Sequence, residues 1–452
     1  MALAQAANIA EKIAGHDNSA ITQQDVSTFP SSGREDDSMK ALVWMGKNHV
    51  EILDVPKPKL VEDRDVILKV TGSTVCGSDL HLLHGAIIEM KKGDILGHEF
   101  CGEAAVVGRG VHNVEVGRRY VASFQIACGD CWFCERRLSS QCARTNANTL
   151  EKTMYGGQTA GMFGYAHFTG GFAGGQAEYV RVPMGDVNLL EIPGNVPDEK
   201  ALFLSDVLAT SYHCVVDTGV EKDDDVAIFG AGPIGQMAGV FALEKGAKKV
   251  VFVDTEPRLS LIRTKFPADK LEVVDYKKLS GGLLAGKKNT VVARLKELCG
   301  DGRGPDVALE CAAGEYSKGW LHWLEMAAGL ETDTSELVNE MIESVRSFGR
   351  CGVTGIYAGY TNHFNIGSLM QRGIRLIGNG QAPVHLYWKD LLQSIEKGTL
   401  DPMQMVSHRV RLEDLDKVYH VFDKKQDGMQ KVFVETKFSY PASKESPPLT
   451  RY

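Results

Sequence analysis

Four cysteines, Cys128, Cys131, Cys134 and Cys142, stand at the spacing C-x2-C-x2-C-x7-C. Four thiolates in one short loop suit a closed, tetrahedral zinc site with every coordination position filled. Such an ion cross-links a loop that has no core of its own and does no catalysis. An iron–sulfur cluster is the competing reading of this spacing, and no other electron-transfer motif accompanies it. With no secretory context in the chain, metal binding accounts for the crowding better than a disulfide framework does.

A second group could hold a dinucleotide. Gly230, Gly232 and Gly235 form GAGPIG, with Pro233 and Ile234 between them, directly after the apolar run VAIF. A lone GxGxxG is weak, but this one follows a strand pattern, opens a helix pattern, and is followed by Asp254 at the end of the next strand pattern. One glycine permits the tight turn, one lets the backbone approach a pyrophosphate, and one lets helix pack on strand. The helix N-terminus then offers free N–H groups and a favourable dipole to the phosphates. Asp254 suits the ribose hydroxyls of NAD and would repel the 2′-phosphate of NADP, while the nearby Arg258 could soften that preference. The alternative is a glycine-rich turn in an unrelated α/β domain.

Two further segments carry reactive side chains: Cys76-Gly77-Ser78-Asp79-Leu80-His81, and Gly97-His98-Glu99. A lone cysteine or histidine is more often structural than a ligand. Their company with a dinucleotide fingerprint and a four-cysteine lobe, in this order, makes chance a poor account.

These residues must be held by elements that the hydropathy pattern outlines. MKALVW and DVILKVTGSTV read as strands, and short strands such as EFCGEAAVVG and GRRYVASF continue to about residue 190. After residue 200 the pattern changes. ALFLSDVLATSYHCVV has helical spacing. DDVAIFG, KKVVFVD, LEVVDY, DVALEC, SFGRCGVTGIYAG and IRLIGNG then read as strands of one sheet, with PIGQMAGVFALEKG as a helix between the first two. Strands alternating with helices predict a parallel, doubly wound sheet. Between about 379 and 440 the pattern predicts one helix, YWKDLLQSIEKG, and more strands, which could return to the first domain. PASKESPPLTRY reads as a loose tail.

The bulk numbers exclude several classes. At 452 residues, 43% hydrophobic and 24% charged, the chain can bury two ordinary cores. A net charge of −8 argues against nucleic-acid partners, including a reading of the four cysteines as a DNA-binding finger, and against adhesion to anionic membranes. No apolar run is long enough to span a bilayer. Glu11 and Lys12 interrupt the Ala-rich N-terminus, and Lys12 is the only basic residue before Arg34. It is a poor signal or transit peptide, so a cytoplasmic location is expected.

Taken jointly, CGSDLH, GHE, the four-cysteine lobe, GAGPIG, Asp254 and the returning C-terminal segment resemble the zinc-containing medium-chain alcohol dehydrogenase family, over about residues 39 to 440. The resemblance implies an α/β protein: a GroES-like, β-rich catalytic domain plus a Rossmann domain. The expected division is a loosely ordered lead (1–38), a catalytic domain (39–207) with its zinc lobe (128–142), an NAD-binding domain (208–378), a return to the catalytic domain (379–440) and a tail (441–452).

It implies further that Cys76 and His98 bind a catalytic zinc. Asp206 falls where many members carry a third ligand, Cys or Glu. An aspartate there resembles the glutathione-independent formaldehyde dehydrogenases and dismutases, as do GGQAEYVRVP (174–183) and GQAPV (380–384). The segment between Gly355 and Gly380 is shorter than the matching region of those enzymes, so the resemblance leaves the substrate open. Three ligands leave a fourth position, where an alcohol becomes a stronger acid. The two charges of Cys76 and Asp206 would make the zinc a milder Lewis acid than three neutral ligands would.

By the same resemblance, Ser78 takes the alcohol proton and His81 passes it outward, a task suited to the ordinary pKa of histidine. A surface loop histidine is the bland alternative for His81. Asp79 would orient His98 from behind, Glu99 would stand beside it, and Thr210 would lie against the nicotinamide. His213 and Cys214 read as helix packing. The expected cofactors are NAD and two zinc ions, one catalytic and one structural. The expected substrate is a small alcohol or aldehyde, and the expected assembly a homo-oligomer, tetramer or dimer. A polyol, threonine or diol dehydrogenase on the same frame, or a catalytically silent NAD-binding sensor, are the rival readings.

Overall fold

The computed structural model describes residues 38–279, 290–312, 334–357 and 361–452. The expected N-terminal lead lies outside these residues, save Ser38. The chain divides into two compact units. One holds the described residues up to Ala209 together with Pro383–Tyr452, and the other holds Thr210–Ala382.

In the first unit the run VILKVTGS forms a buried strand, Val66–Ser73. It pairs antiparallel with Phe100–Val107, Tyr179–Val182 and Lys431–Glu435. Alternate residues Val66, Leu68 and Val70 pack with Phe100, Phe163 and Phe172 in a core free of solvent. The register pairs Ser73 with Phe100. Cys76 follows the first strand and His98 precedes the second, so both leave the sheet at the same end.

The second unit is a six-stranded parallel sheet in the spatial order Leu271–Asp275, Lys249–Asp254, Asp225–Phe229, Val307–Glu310, Arg350–Val353, Arg375–Gly378. Numbered along the chain this is 3-2-1-4-5-6, the doubly wound Rossmann order. The central strands are buried on both faces, which is why they read as unbroken apolar runs rather than alternating ones.

Three local expectations are corrected. ALFLSDVLATSYHCVV is not one helix: a short helix and turn, Asp198–Ala201 and Leu202–Leu204, end before Ser205, and Val207–Thr218 begins a new helix. The C-terminal region holds a second helix, Leu415–Asp423, besides Val384–Glu396. Its short apolar stripe lies between strand patterns and is masked by them. The tail is not loose. Ser443 N–H donates to Glu199 Oε1 at 3.0 Å and Thr450 N–H to the Arg409 carbonyl at 2.8 Å. Arg409 also donates to Ser446 Oγ at 3.2 Å. The buried Arg409–Glu199 pair at 2.7 Å has hydrogen-bonding capacity left over, and the polar tail fills it. Among the described residues no helix is long and apolar enough to cross a membrane.

Candidate metal centres and dinucleotide loop

Cys76 ends the loop after its strand and begins the helix Gly77–Leu83. Its N–H donates to Asp79 Oδ2 at 2.9 Å, which fixes the first turn. Gly97 has φ +97°, and a Cβ there would meet Gln176 Cγ at 2.4 Å, so only glycine delivers His98 at this point. Asp206 sits between the turn Leu202–Leu204 and the helix Val207–Thr218. One ligand-type atom from each of Cys76, His98, Glu99 and Asp206 lies within 4.8 Å of the others.

His98 Nε2 faces Asp206 Oδ2 at 3.4 Å, Ser78 Oγ at 3.5 Å and Glu99 Oε1 at 3.7 Å. Its Nδ1 faces Asp79 Oδ1 at 3.2 Å. Tyr165 and Phe124 hold the ring edge-on, with centroids 5.4 and 6.2 Å away. Burial works against the charged imidazole, but Asp79, with Asp206 and Cys76, outweighs it and holds His98 well above its ordinary value. Burial raises Glu99, and its ion-pair partner Lys431 offsets part of the shift. Glu99 Oε2 is buried without a hydrogen-bond partner. A thiol, an imidazole and carboxylates around one point, with a buried carboxylate oxygen left over, fit a divalent ion of the zinc type. His98 and Glu99 are buried, whereas Cys76 and Asp206 keep partial exposure, so the cluster has an accessible side.

Cys128, Cys131, Cys134 and Cys142 form the second cluster, again within 4.8 Å. Cys128 N–H donates to Cys142 Sγ at 3.4 Å, and the Cys128 and Cys134 sulfurs are 3.9 Å apart. Donors from Cys128 and Cys134 pull the Cys142 thiol down to about 3. This donor set fits one tetrahedral zinc. The lobe is tied down by His385. Its Nε2–H donates to the Val187 carbonyl at 3.0 Å and its Nδ1 accepts from Ser139 Oγ at 2.7 Å.

In the other unit, Gly230 has φ +106°, and a Cβ on Gly235 would meet the Gly230 carbonyl at 1.9 Å. Gly232 has nothing within 4 Å of its would-be Cβ. It caps the twelve-residue helix Pro233–Glu244, leaving the open N-terminus that a phosphate needs. Ile234 follows Pro233 in the first turn. Asp254 Oδ2 accepts from Ala231 N–H at 2.7 Å, and Arg258 Nη1 stands 3.6 Å from it.

The Alcohol dehydrogenase GroES-like domain model matches residues 62–194. The chain is 37% identical over 430 residues to a zinc-type alcohol dehydrogenase-like protein of Schizosaccharomyces pombe, covering 95% of this chain and 97% of that one. The chain belongs to the zinc-type alcohol dehydrogenase family. It is also 29% identical to the glutathione-independent formaldehyde dehydrogenase of Pseudomonas aeruginosa, over 87% of this chain and 96% of that one. The solved alcohol dehydrogenase TADH from Thermus sp. ATN1 superimposes with a TM-score of 0.71 at 30% identity, over 88% of this chain and all of the other. The protein is thus an oxidoreductase of the medium-chain type, with a GroES-like and a Rossmann part.

Within this dehydrogenase the structure gathers Cys76, Ser78, Asp79, His98, Glu99 and Asp206 in one place. Glu99 is one of the four residues whose ligand-type atoms cluster, and its carboxylate pairs with the buried Lys431. His81 lies in the last turn of its helix, half-buried, and Thr210 lies in Val207–Thr218. His213 pairs with Asp217 at 3.7 Å along the helix, and Cys214 is buried beside Cys311. Four residues escape a reading of the sequence alone: Tyr165, Gln176, Tyr419 and Lys431. Each lies far along the chain from its partner. Two signals are available: a lysine in an otherwise apolar strand pattern, KVFV, and the place of Gln176 within GGQAEYVRVP.

Proposed function

We propose that this dehydrogenase oxidises an alcohol or an aldehyde hydrate with NAD, using a zinc held by Cys76, His98 and Asp206 and a structural zinc held by Cys128, Cys131, Cys134 and Cys142. The observation that carries the reading is the convergence of Cys76, His98 and Asp206 on one point with an accessible side. Zinc there would supply a Lewis acid toward the substrate oxygen, and NAD a hydride acceptor.

The chain's own residues do the rest. Ser78, whose hydroxyl lies 3.5 Å from His98 Nε2, takes the proton of the substrate hydroxyl. His81, on the same helix, passes it outward. Asp79 Oδ1 lies 3.2 Å behind His98 Nδ1, a placement that favours Nε2 facing the cluster. Glu99, paired with Lys431, adds a carboxylate at the rear wall. Asp254 receives the adenosine ribose hydroxyls, Arg258 stands beside them, and Gly230, Gly232 and Gly235 admit the pyrophosphate. Thr210 contacts the nicotinamide. The likeness to a formaldehyde dehydrogenase supports small aldehyde hydrates among the substrates. The edge strand Arg375–Gly378, with Leu376, Met370, Ile366 and Phe348 exposed on the same unit, supports self-association.

The test is a panel of primary, secondary and polyol alcohols, threonine and aldehydes with NAD at neutral pH, alongside metal analysis. Turnover with a simple alcohol or aldehyde at about two zinc ions per chain is expected. Zinc and NAD bound with no substrate reducing NAD would overturn the reading in favour of a silent sensor.

A further inference from the structure

Behind the metal cluster runs a line of buried polar side chains that joins the last helix of the chain to His98. Tyr419, on Leu415–Asp423, donates its hydroxyl to Gln176 Oε1 at 2.8 Å. Gln176 Nε2 then donates to the Thr74 carbonyl at 2.9 Å and to Asp79 Oδ2 at 3.2 Å. Asp79 Oδ2 also accepts from Cys76 N–H at 2.9 Å, and Asp79 Oδ1 lies 3.2 Å from His98 Nδ1. All four residues are almost wholly buried: Tyr419 and Gln176 are 0% exposed, Asp79 1% and His98 2%.

We propose that Gln176 and Tyr419 are positioning residues for the catalytic zinc, holding the Asp79 carboxylate so that only Oδ1 is presented to His98. The inference rests on the proposed zinc site of Cys76, His98 and Asp206. A buried carboxylate with one firm partner can turn about its χ2, and each turn changes what His98 Nδ1 meets. Two donors on Oδ2, one from the backbone of Cys76 and one from Gln176, fix the plane. The direction of the Gln176 amide is fixed in turn. Thr74 and Asp79 both offer acceptors on one side, so Nε2 must face them, and Oε1 must face Tyr419. Burial, and then the Asp79 charge, holds the Tyr419 phenol well above its ordinary value, so it remains a donor. Gln176 is also anchored to the backbone that carries His98: its N–H donates to the Leu96 carbonyl at 3.0 Å, and Gly175 N–H to the Gly97 carbonyl at 2.7 Å. A glutamine suits this place because it donates without adding charge. A glutamate would set a second carboxylate against Asp79.

The experiment uses the zinc-loaded full chain and three variants, Gln176→Leu, Tyr419→Phe and the double variant. The readout is the rate at which a chromogenic chelator captures zinc, with the four-cysteine zinc followed separately through the Cys134→Ser background. Gln176→Leu is expected to release the catalytic zinc roughly 10- to 100-fold faster, and Tyr419→Phe severalfold faster. Tyr419→Phe should add nothing once Gln176 is leucine, because it acts through that amide. The cobalt-substituted protein should show a shifted visible spectrum in the same variants, and melting midpoints serve as the fold control. Parental release from Gln176→Leu, or effects of the two substitutions that multiply, overturns the inference. If Gln176→Leu fails to fold, Tyr419→Phe decides alone, since it removes one oxygen and no packing volume. A parent protein that carries zinc only in the four-cysteine lobe overturns the catalytic-zinc reading itself, and this inference with it.

Discussion

The Asp206 carboxylate stands 3.4 Å from Nε2 of His98, on the step between the turn Leu202–Leu204 and the helix Val207–Thr218. Asp206→Asn keeps the shape and removes the charge. Zinc should fall from about two per chain to about one, with the four-cysteine ion retained and alcohol oxidation lost. Two zinc ions at full turnover would remove Asp206 from the ligand set.

Ser78 Oγ is 3.5 Å from His98 Nε2 and shares a helix with His81. Ser78→Ala should lower kcat by roughly 10²-fold, leave NAD affinity almost unchanged, and be relieved in part at high pH, where the substrate proton leaves to solvent. Stopped-flow rates against pH decide this. A variant as fast as the parent at neutral pH leaves the relay without its first member.

Asp254 accepts from Ala231 and Thr255 N–H groups at 2.7 Å each, and Arg258 lies beside it. Asp254→Ala should loosen the glycine loop for both cofactors alike. It should also cost NAD the ribose contacts, about 1.5–3 kcal/mol for bonds to a charged group, and relieve the repulsion of a 2′-phosphate. The measured quantity is the ratio of kcat/KM for NAD to that for NADP, which loop loosening alone does not move. The ratio should fall by at least about tenfold. An unchanged ratio means another residue reads the ribose.

His385 is half-buried between Ser139 and Val187, and its partial removal from water pushes its pKa down to about 4. The folded state therefore holds it neutral while the unfolded chain takes up a proton near pH 6.5. Its contribution is fully present above the unfolded value and is lost as pH falls from about 6.5 toward 4. Between pH 7 and 5 the parent should lose about 2 kcal/mol more stability than His385→Gln. Urea midpoints of both proteins at the two pH values measure the difference. Parallel losses in the two would show that His385 does not carry the titration.

Much of this chemistry lies in local sequence. The four-cysteine spacing, GAGPIG between a strand and a helix, and CGSDLH and GHE each sit within one loop or one turn. There the residue types alone limit what the backbone can do: a Cβ at Gly235 or Gly97 meets atoms at 1.9 and 2.4 Å. The alternation of apolar strands and helices likewise announces the parallel sheet, because strands buried on both faces must be apolar throughout. What the tertiary structure alone decides is partnership across distance. ALFLSDVLATSYHCVV has helical spacing, yet packing breaks it at Asp206. Glu99 meets Lys431, Asp79 meets Gln176, and Gln176 meets Tyr419 of a late helix, through pairings that no local pattern encodes. Buried polar groups need partners wherever the fold can supply them, and that supply is settled only when the whole unit has closed.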